Sequence, residues 1–109
     1  MKLNEIAAKL GLESLTPVPD HDVAGVYISD MISDVIANAK AGNLLVTVQV
    51  HANAIAAANL VDICGIIIAQ GKRPADDVLK MAAKAQIAVF STPLNRWQVA
   101  TKLYEVGLR

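Results

Sequence analysis

Three apolar runs, each followed by a helical pattern, constrain the fold of this chain more than any other feature of its sequence. They are rich in aliphatic residues and do not alternate between apolar and polar positions; the runs are Leu44–Val48, Gly65–Ala69 and Ile87–Phe90. Strands of this kind are buried on both faces, which is typical of a parallel sheet. The segments after them predict helices over residues 52–62, 74–85 and 93–106. Repeated strand–helix units predict an α/β fold with a mostly parallel β-sheet flanked by helices.

Capping residues predict where several helices begin. Pro74 and Pro93 are predicted at the first helical position, where a missing N–H costs nothing, and Thr92 is the predicted N-cap of the last helix. Ser29 is the predicted N-cap of a helix that reaches about Ala39, after a strand over residues 23–28.

The first 20 residues are predicted to form an N-terminal extension of helix and loop. The helix runs from Asn4, as N-cap, to Leu10, and Gly11 is its left-handed terminator. Two prolines in the segment Thr16–Asp20 exclude the second helix of a helix-turn-helix motif. The 109 residues fit one domain, with residues 1–20 as the extension and residues 21–109 as the β/α core.

Composition excludes several classes of protein. Ten basic and ten acidic residues give zero net charge, which lacks the basic footprint of a nucleic-acid-binding protein. The single cysteine excludes an intramolecular disulfide and a cysteine-based zinc site. No apolar run reaches the length of a membrane span and the start lacks a signal-peptide pattern, so we expect a cytoplasmic protein. Because 54% of the residues are hydrophobic and the net charge is zero, self-association into a homodimer is expected.

Polar residues concentrate where the predicted parallel strands end. Ligands of open α/β sheets bind beyond the carboxyl ends of the strands, so these residues are candidate ligand-binding groups. They are Gln49, His51, Asn53, Gln70, Gly71, Arg73, Ser91, Thr92 and Arg96. The alternative is that any strand leaving a core must become polar, and the sequence leaves both interpretations open.

An anionic ligand is expected at the first and third of these loops rather than the second. Asp76 and Asp77 follow the second loop and already complement the positive end of the predicted helix. The stretch from Gly65 to Arg73 is not a phosphate-binding P-loop, because five residues separate its glycines and Arg73 stands where a magnesium-binding Ser or Thr is needed. We therefore predict no nucleotide hydrolysis.

Other chemically capable residues give weaker signals. Asp30 and Asp34 are predicted on one helical face, where they either complement the helix dipole or contact a partner or a metal ion. Neither this pair nor His21 between two aspartates makes a convincing metal site, so no metal is predicted. Cys64 is expected to be a small buried residue, and the Trp97–Tyr104 stripe is interpreted as core or dimer contact.

Three strings of the sequence resemble the DRTGG domain, in particular its small stand-alone members: Gly25–Ala39, Cys64–Ala69 and Ile87–Thr92. The opening Leu3–Leu12 is similar to the start of the related HPr kinase/phosphorylase N-terminal domain. The resemblance implies a single Rossmann-like α/β domain that dimerises and has a regulatory or structural role, as it does beside catalytic or sensor domains in phosphotransacetylases and pyrophosphatases. It does not imply kinase activity, because the kinase chemistry belongs to a separate P-loop domain.

The sequence departs from the motif that gives the family its name. Ala69-Gln70-Gly71 stands where the family has Thr-Gly-Gly, and the residues His51–Asn53 replace the Asp-Arg position. The leading hypothesis is a non-catalytic regulatory or protein-interaction module, homodimeric, with a small anionic ligand or nucleotide in the strand-end crevice and no other cofactor. One alternative is a small enzyme that acts on a phosphorylated or carboxylated metabolite through His51 and Arg73 or Arg96. Another is an assembly subunit of a larger redox complex.

Overall fold

Five strands form one sheet in a computed structural model that describes residues 1–109. The strands are β1 (Glu13–Ser14), β2 (Val26–Ile28), β3 (Leu44–Thr47), β4 (Gly65–Ile68) and β5 (Ala88–Ser91). Their order in the sheet is β1-β5-β4-β3-β2, and β2 to β5 are mutually parallel whereas β1 pairs antiparallel with β5. The prediction of an α/β fold with a mostly parallel sheet is confirmed.

Five helices cover the two faces of this sheet. They are α1 (Leu3–Leu10), α2 (Ile32–Asn38), α3 (Ala52–Leu60), α4 (Asp76–Lys84) and α5 (Arg96–Glu105). On one face, side chains from α1 and α5 pack with alternate strand residues such as Val46 and Phe90. On the other, α2, α3 and α4 pack with Leu45 and Val89. Both faces are therefore apolar, which explains the continuous apolar runs. None of these helices has the length and apolar content that crossing a bilayer requires.

The last two helices begin later than the sequence predicts. Pro74 and Pro93 lie before the helices, and Thr92 is not the N-cap of α5. The cap is Asn95, whose Oδ1 accepts from the Gln98 N–H at 2.8 Å while Gln98 Oε1 accepts from the Asn95 N–H at 3.0 Å. The late start of α5 has a tertiary cause, because residues 92–95 first cross the end of β4.

The first two helix starts also differ from the prediction. The first helix begins at Leu3 rather than after Asn4, and the backbone N–H of Lys2 donates to Glu5 Oε1 at 3.1 Å. Lys2 forms a bridge with Asp22, so the chain enters the helix directly from a paired residue. Helix α2 begins at Ile32, and Ser29 Oγ accepts the Met31 N–H in a turn before it rather than capping the helix.

The N-terminal extension is part of the core and of the sheet. Leu3 and Ile6 of α1 are fully buried, and β1 lies in the segment that was predicted as loop. Beyond β1 the pairing with β5 continues through a side chain, because Thr16 Oγ1 accepts from the Val89 N–H at 2.9 Å. A strand of two exposed residues has no periodicity that sequence analysis could detect.

Four helices end in the same way, with a residue in the left-handed conformation. Glycines occupy this position after α1 and α5, with φ of 64° at Gly11 and 103° at Gly107. After α3 and α4 it is filled by Asp62 (φ 60°) and Gln86 (φ 57°). In each case the next N–H reaches back to a carbonyl five residues earlier, as Ile87 N does to Ala82 O at 3.0 Å. This is the Schellman motif, in which glycine is the preferred residue.

Gln86→Gly is expected to raise the free energy of unfolding by about 0.5–1 kcal/mol, because a left-handed conformation strains any residue with a Cβ. Urea denaturation measures the change. The neighbouring Ala85 has a negative φ of −83°, so Ala85→Gly is a matched control that is expected to lower stability by a similar amount. Equal destabilisation by both substitutions would contradict the prediction.

Candidate functional site

Asp30 collects hydrogen bonds from two other segments at the carboxyl end of the sheet. Its Oδ1 accepts from Thr47 Oγ1 at 3.0 Å and from the Val48 N–H at 2.9 Å. Its Oδ2 accepts from Arg96 Nη1. The Asp30 carbonyl oxygen accepts from Gln49 Nε2 at 2.9 Å. This carboxylate cluster joins the ends of β2 and β3 to the first turn of α5.

Arg96 reaches the carboxylate cluster because the β5–α5 loop crosses the end of β4. Two backbone bonds fasten the crossing: Gln70 N donates to Leu94 O and Gly71 N donates to Thr92 O, both at 2.8 Å. The side chains of Arg96 and Asp30 remain 38% and 35% exposed. The ion pair is therefore accessible to solvent, but its guanidinium already has an anionic partner.

The second arginine predicted at this end, Arg73, lies at the other edge of the sheet and is also paired. Arg73 Nη1 donates to Glu13 Oε1 at 2.7 Å, and both side chains are more than half exposed. Glu13 belongs to β1, whereas Asp30 follows β2, so the two arginines lie at opposite edges of the sheet. The structure does not bring them together.

The remaining predicted ligand groups are either exposed or used in the fold. His51 and Asn53 lie at the start of α3 and are exposed, and the imidazole of His51 makes no hydrogen bond or ion pair within the chain. Ser91 and Thr92 are buried, and they close the local loops: Ser91 Oγ donates to Lys72 O, and Thr92 Oγ1 accepts from the Leu94 N–H. No hydrogen bond or ion pair joins His51 to either arginine: Arg73 is paired with Glu13 and Arg96 with Asp30.

The nine predicted ligand residues line none of the five main surface cavities. At the carboxyl end of the strands, where the crevice is expected, lie the crossing loop and the partly exposed carboxylate cluster. The glutamine and glycine that follow β4 have φ of 62° and 68°, so the backbone folds back beneath this loop.

Asp30 and Asp34 do not form one acidic face. Asp30 precedes α2, whereas Asp34 lies within it and accepts from Tyr27 Oη at 2.8 Å and from Asn38 Nδ2 at 2.7 Å. No group of three or more His, Cys, Asp or Glu side chains is placed to hold a metal ion. The prediction that these two aspartates share a helical face is therefore wrong, because the helix begins two residues after Asp30.

A polar groove of about 300 Å³ lies at the opposite, amino-terminal end of the strands, away from the predicted ligand residues. Its lining includes His21, Asp62, Gln86 and Cys64. The thiol of Cys64 donates to Gly42 O and Asn43 O at 3.3 Å each, and burial raises its pKa to about 11. A thiol with this pKa is protonated at neutral pH. The burial of its side chain confirms the expectation that Cys64 is a small buried residue.

The largest exposed aromatic side chains lie together on α5. Trp97 is 76% exposed and Tyr104 is 61% exposed, and with Ala100, Thr101 and Glu105 they line a depression of about 440 Å³. A smaller hollow of about 170 Å³ continues past Tyr104 to the edge strand β2, where Ile28 is 42% exposed. We call this surface the α5 face: Val26, Ile28, Trp97, Ala100, Thr101 and Tyr104.

The positions of Trp97 and Tyr104 around the helix explain why these side chains are exposed. Val99 and Leu103 of the same helix are buried against the sheet, so Trp97 and Tyr104 cannot also face inward. The guanidinium of Arg109 lies 3.9 Å from the centroid of the Tyr104 ring, which holds this ring over the hollow. The Trp97–Tyr104 stripe, which the sequence predicts to be core or dimer contact, thus lies outside the core.

Comparisons with known proteins point to one family. The model of the DRTGG domain matches residues 5–106. The structure is similar to the crystal structure of the CBS and DRTGG domains of the regulatory region of Clostridium perfringens pyrophosphatase, complexed with its activator diadenosine tetraphosphate. The TM-score is 0.75 at 17% sequence identity, and the match covers 94% of this chain and 45% of that chain. A search of curated proteins found no match.

Proposed function

Because the chain belongs to the DRTGG domain family, we propose that it is a non-catalytic regulatory or protein-interaction module that acts as a homodimer. The observation that carries the proposal is the α5 face. Contiguous exposed apolar surface is rare on monomers unless it binds something, and aromatic residues are enriched at the centre of protein interfaces.

The similar solved structure supports the regulatory part of this proposal. It contains the CBS and DRTGG domains of a pyrophosphatase's regulatory region. This chain spans less than half of that chain, so the pyrophosphatase reaction and the activator belong to the larger protein. What the present chain shares with it is the fold of one regulatory component.

Sedimentation equilibrium tests the homodimer directly. Between about 1 and 100 µM protein, we expect the average molar mass to rise from that of one chain towards that of two. This range spans a micromolar dissociation constant, which corresponds to a binding free energy of about 8 kcal/mol. The mass of a single 11.5 kDa chain throughout this range would overturn the homodimer.

A small anionic ligand at the carboxylate cluster is a second candidate function. Arg96 is on the first turn of α5, where a helix favours negative charge, and its present partner is a carboxylate of the same chain. A phosphate or polyphosphate nucleotide would take the place of Asp30 on this guanidinium. Binding and the internal ion pair are then in competition.

Competition predicts opposite effects of two substitutions. Asp30→Asn is expected to strengthen the binding of an anion and Arg96→Gln to abolish it, whereas Arg73→Gln, at the other edge of the sheet, is a control that should leave it unchanged. Thermal-shift measurements with ATP, diadenosine tetraphosphate and inorganic phosphate are a suitable assay, since ligand at 100 times Kd stabilises by about 2.7 kcal/mol. If none of the three stabilises either the natural chain or Asp30→Asn, the ligand proposal fails.

A further inference from the structure

The exposed stripe of α5 presents the same order of residue types when it is followed in either direction along the helix. From Trp97 to Tyr104 it consists of an aromatic residue, two small residues and a second aromatic residue, with Ala100 and Thr101 in the middle. The spacing of three, one and three residues keeps all four on one side of the helix. The opposite side is buried through Val99 and Leu103.

We propose that two copies of the chain pair through α5, antiparallel, about a two-fold axis that passes between Ala100 and Thr101. The inference rests on the homodimer proposed above and adds the surface and its geometry. Trp97 of each protomer then packs against Tyr104 of the partner subunit. Ala100 lies opposite Thr101 of the partner subunit, and two small residues allow the helices to approach closely.

Charge complementarity favours the antiparallel arrangement over the parallel one. Arg96 begins α5 and Glu105 ends it, and rotation about the same axis places the helix end that carries Arg96 beside the helix end that carries Glu105 of the partner subunit, while the Arg96 guanidinium keeps its ion pair with Asp30 of its own chain. A parallel pair would place like charges side by side at both ends. Antiparallel helices also set the positive end of each macrodipole beside the negative end of the other.

The area available is that of a small, reversible interface. Each fully buried aromatic side chain contributes roughly 150–250 Å². Trp97 and Tyr104 together with Ile28 and Val26, which flank the helix at the edge of the sheet, bring each protomer towards the lower end of standard interfaces, about 600 Å² a side. A dimer with a micromolar dissociation constant is consistent with this size.

Ala100→Glu tests the pairing at its centre. The substitution brings two carboxylates together beside the axis and is expected to weaken dimerisation by about 100-fold, because like charges would be desolvated without partners. Trp97→Ala removes an exposed aromatic contact without touching the core and is expected to weaken dimerisation as well. Leu60→Glu is the matched control: Leu60 is an apolar residue of α3, 68% exposed, so the same change there should leave the dimer intact.

Cysteine cross-linking tests the pairing through α5 independently of affinity. A Thr101→Cys chain is expected to form a disulfide-linked dimer on mild oxidation, because residue 101 of each protomer lies beside the two-fold axis. Leu60→Cys serves as the control and should not form a disulfide-linked dimer under the same conditions. The natural Cys64 is buried and does not interfere.

The outcomes separate this inference from the homodimer itself. If the natural chain is dimeric and both Ala100→Glu and Trp97→Ala remain equally dimeric with unchanged circular dichroism, the α5 pairing is overturned while the homodimer stands. If the natural chain is monomeric at about 100 µM, both the homodimer and the α5 pairing are overturned. Equal cross-linking of Thr101→Cys and Leu60→Cys also overturns the proposed geometry.

Discussion

Asp30→Ala is expected to lower the free energy of unfolding by about 2–3 kcal/mol. The substitution leaves the Thr47 hydroxyl and the Val48 N–H without their acceptor and Arg96 without its carboxylate. An unsatisfied polar group costs about 1–3 kcal/mol where it is buried, and Thr47 is fully buried. The contribution of the ion pair itself is small because both side chains are about one-third exposed.

Asp30→Asn separates these two contributions. An amide oxygen can still accept from Thr47 and Val48, so we expect a loss of about 1 kcal/mol, less than half of the alanine effect. Equilibrium urea denaturation of both variants gives the comparison, with Asp20→Ala as a control because Asp20 forms only an exposed ion pair with Lys2. Equal losses for Asn and Ala would show that the charge, rather than the hydrogen bonds, holds the carboxylate cluster together.

Gly65→Val is expected to lower the free energy of unfolding by about 3 kcal/mol, and Gly65→Ala by about 1 kcal/mol. Gly65 begins β4 beneath α1, where a Cβ would lie 3.0 Å from Leu3 Cδ2, 3.4 Å from Leu44 Cδ1 and 3.5 Å from the Ala88 carbonyl oxygen. Both leucines are fully buried and have little room to move. The absence of a side chain at residue 65 thus allows α1 to dock closely on the sheet.

A double-mutant cycle with Leu3→Ala identifies the cause of this effect. Leu3→Ala alone is expected to cost about 2–5 kcal/mol through the cavity it leaves. In the Gly65→Val background the same substitution should cost at least 1 kcal/mol less, since the valine occupies part of that space. Strictly additive losses in thermal or urea denaturation would show that Gly65→Val acts through the strand rather than through α1.

Sequence reasoning found the layers of this protein because burial on both faces leaves a local signature. Each of the three predicted runs coincides with a strand to within one residue at either end, because a strand that is covered on both faces has no apolar–polar alternation; the runs are Leu44–Val48, Gly65–Ala69 and Ile87–Phe90. Gly11 ends α1 as expected, because a left-handed residue after a helix is a local requirement. The strand β1 escaped detection because its pairing with β5 depends on residues more than 70 positions away.

Helix starts were less predictable than helix ends for a tertiary reason. Thr92 and Pro93 have the local chemistry of a helix start, yet the chain must first cross β4, and only then does Asn95 form a capping box with Gln98. Ser29 likewise closes a turn that places Asp30 beside Thr47. In both places a longer-range contact overrides a local preference.

The sequence by itself determined the α/β class, the parallel sheet and the polar carboxyl end, because each follows from periodicity or from residues near one another in the chain. Only the tertiary structure decided what those polar groups do: Arg96 meets Asp30 across 66 residues and Arg73 meets Glu13 across 60. Only the structure, too, placed Trp97 and Tyr104 outside the core, since the pattern of one helix cannot show which of its two apolar sides the sheet will cover. The physical reason is the same in each case: a partner brought close by folding leaves no trace in local sequence.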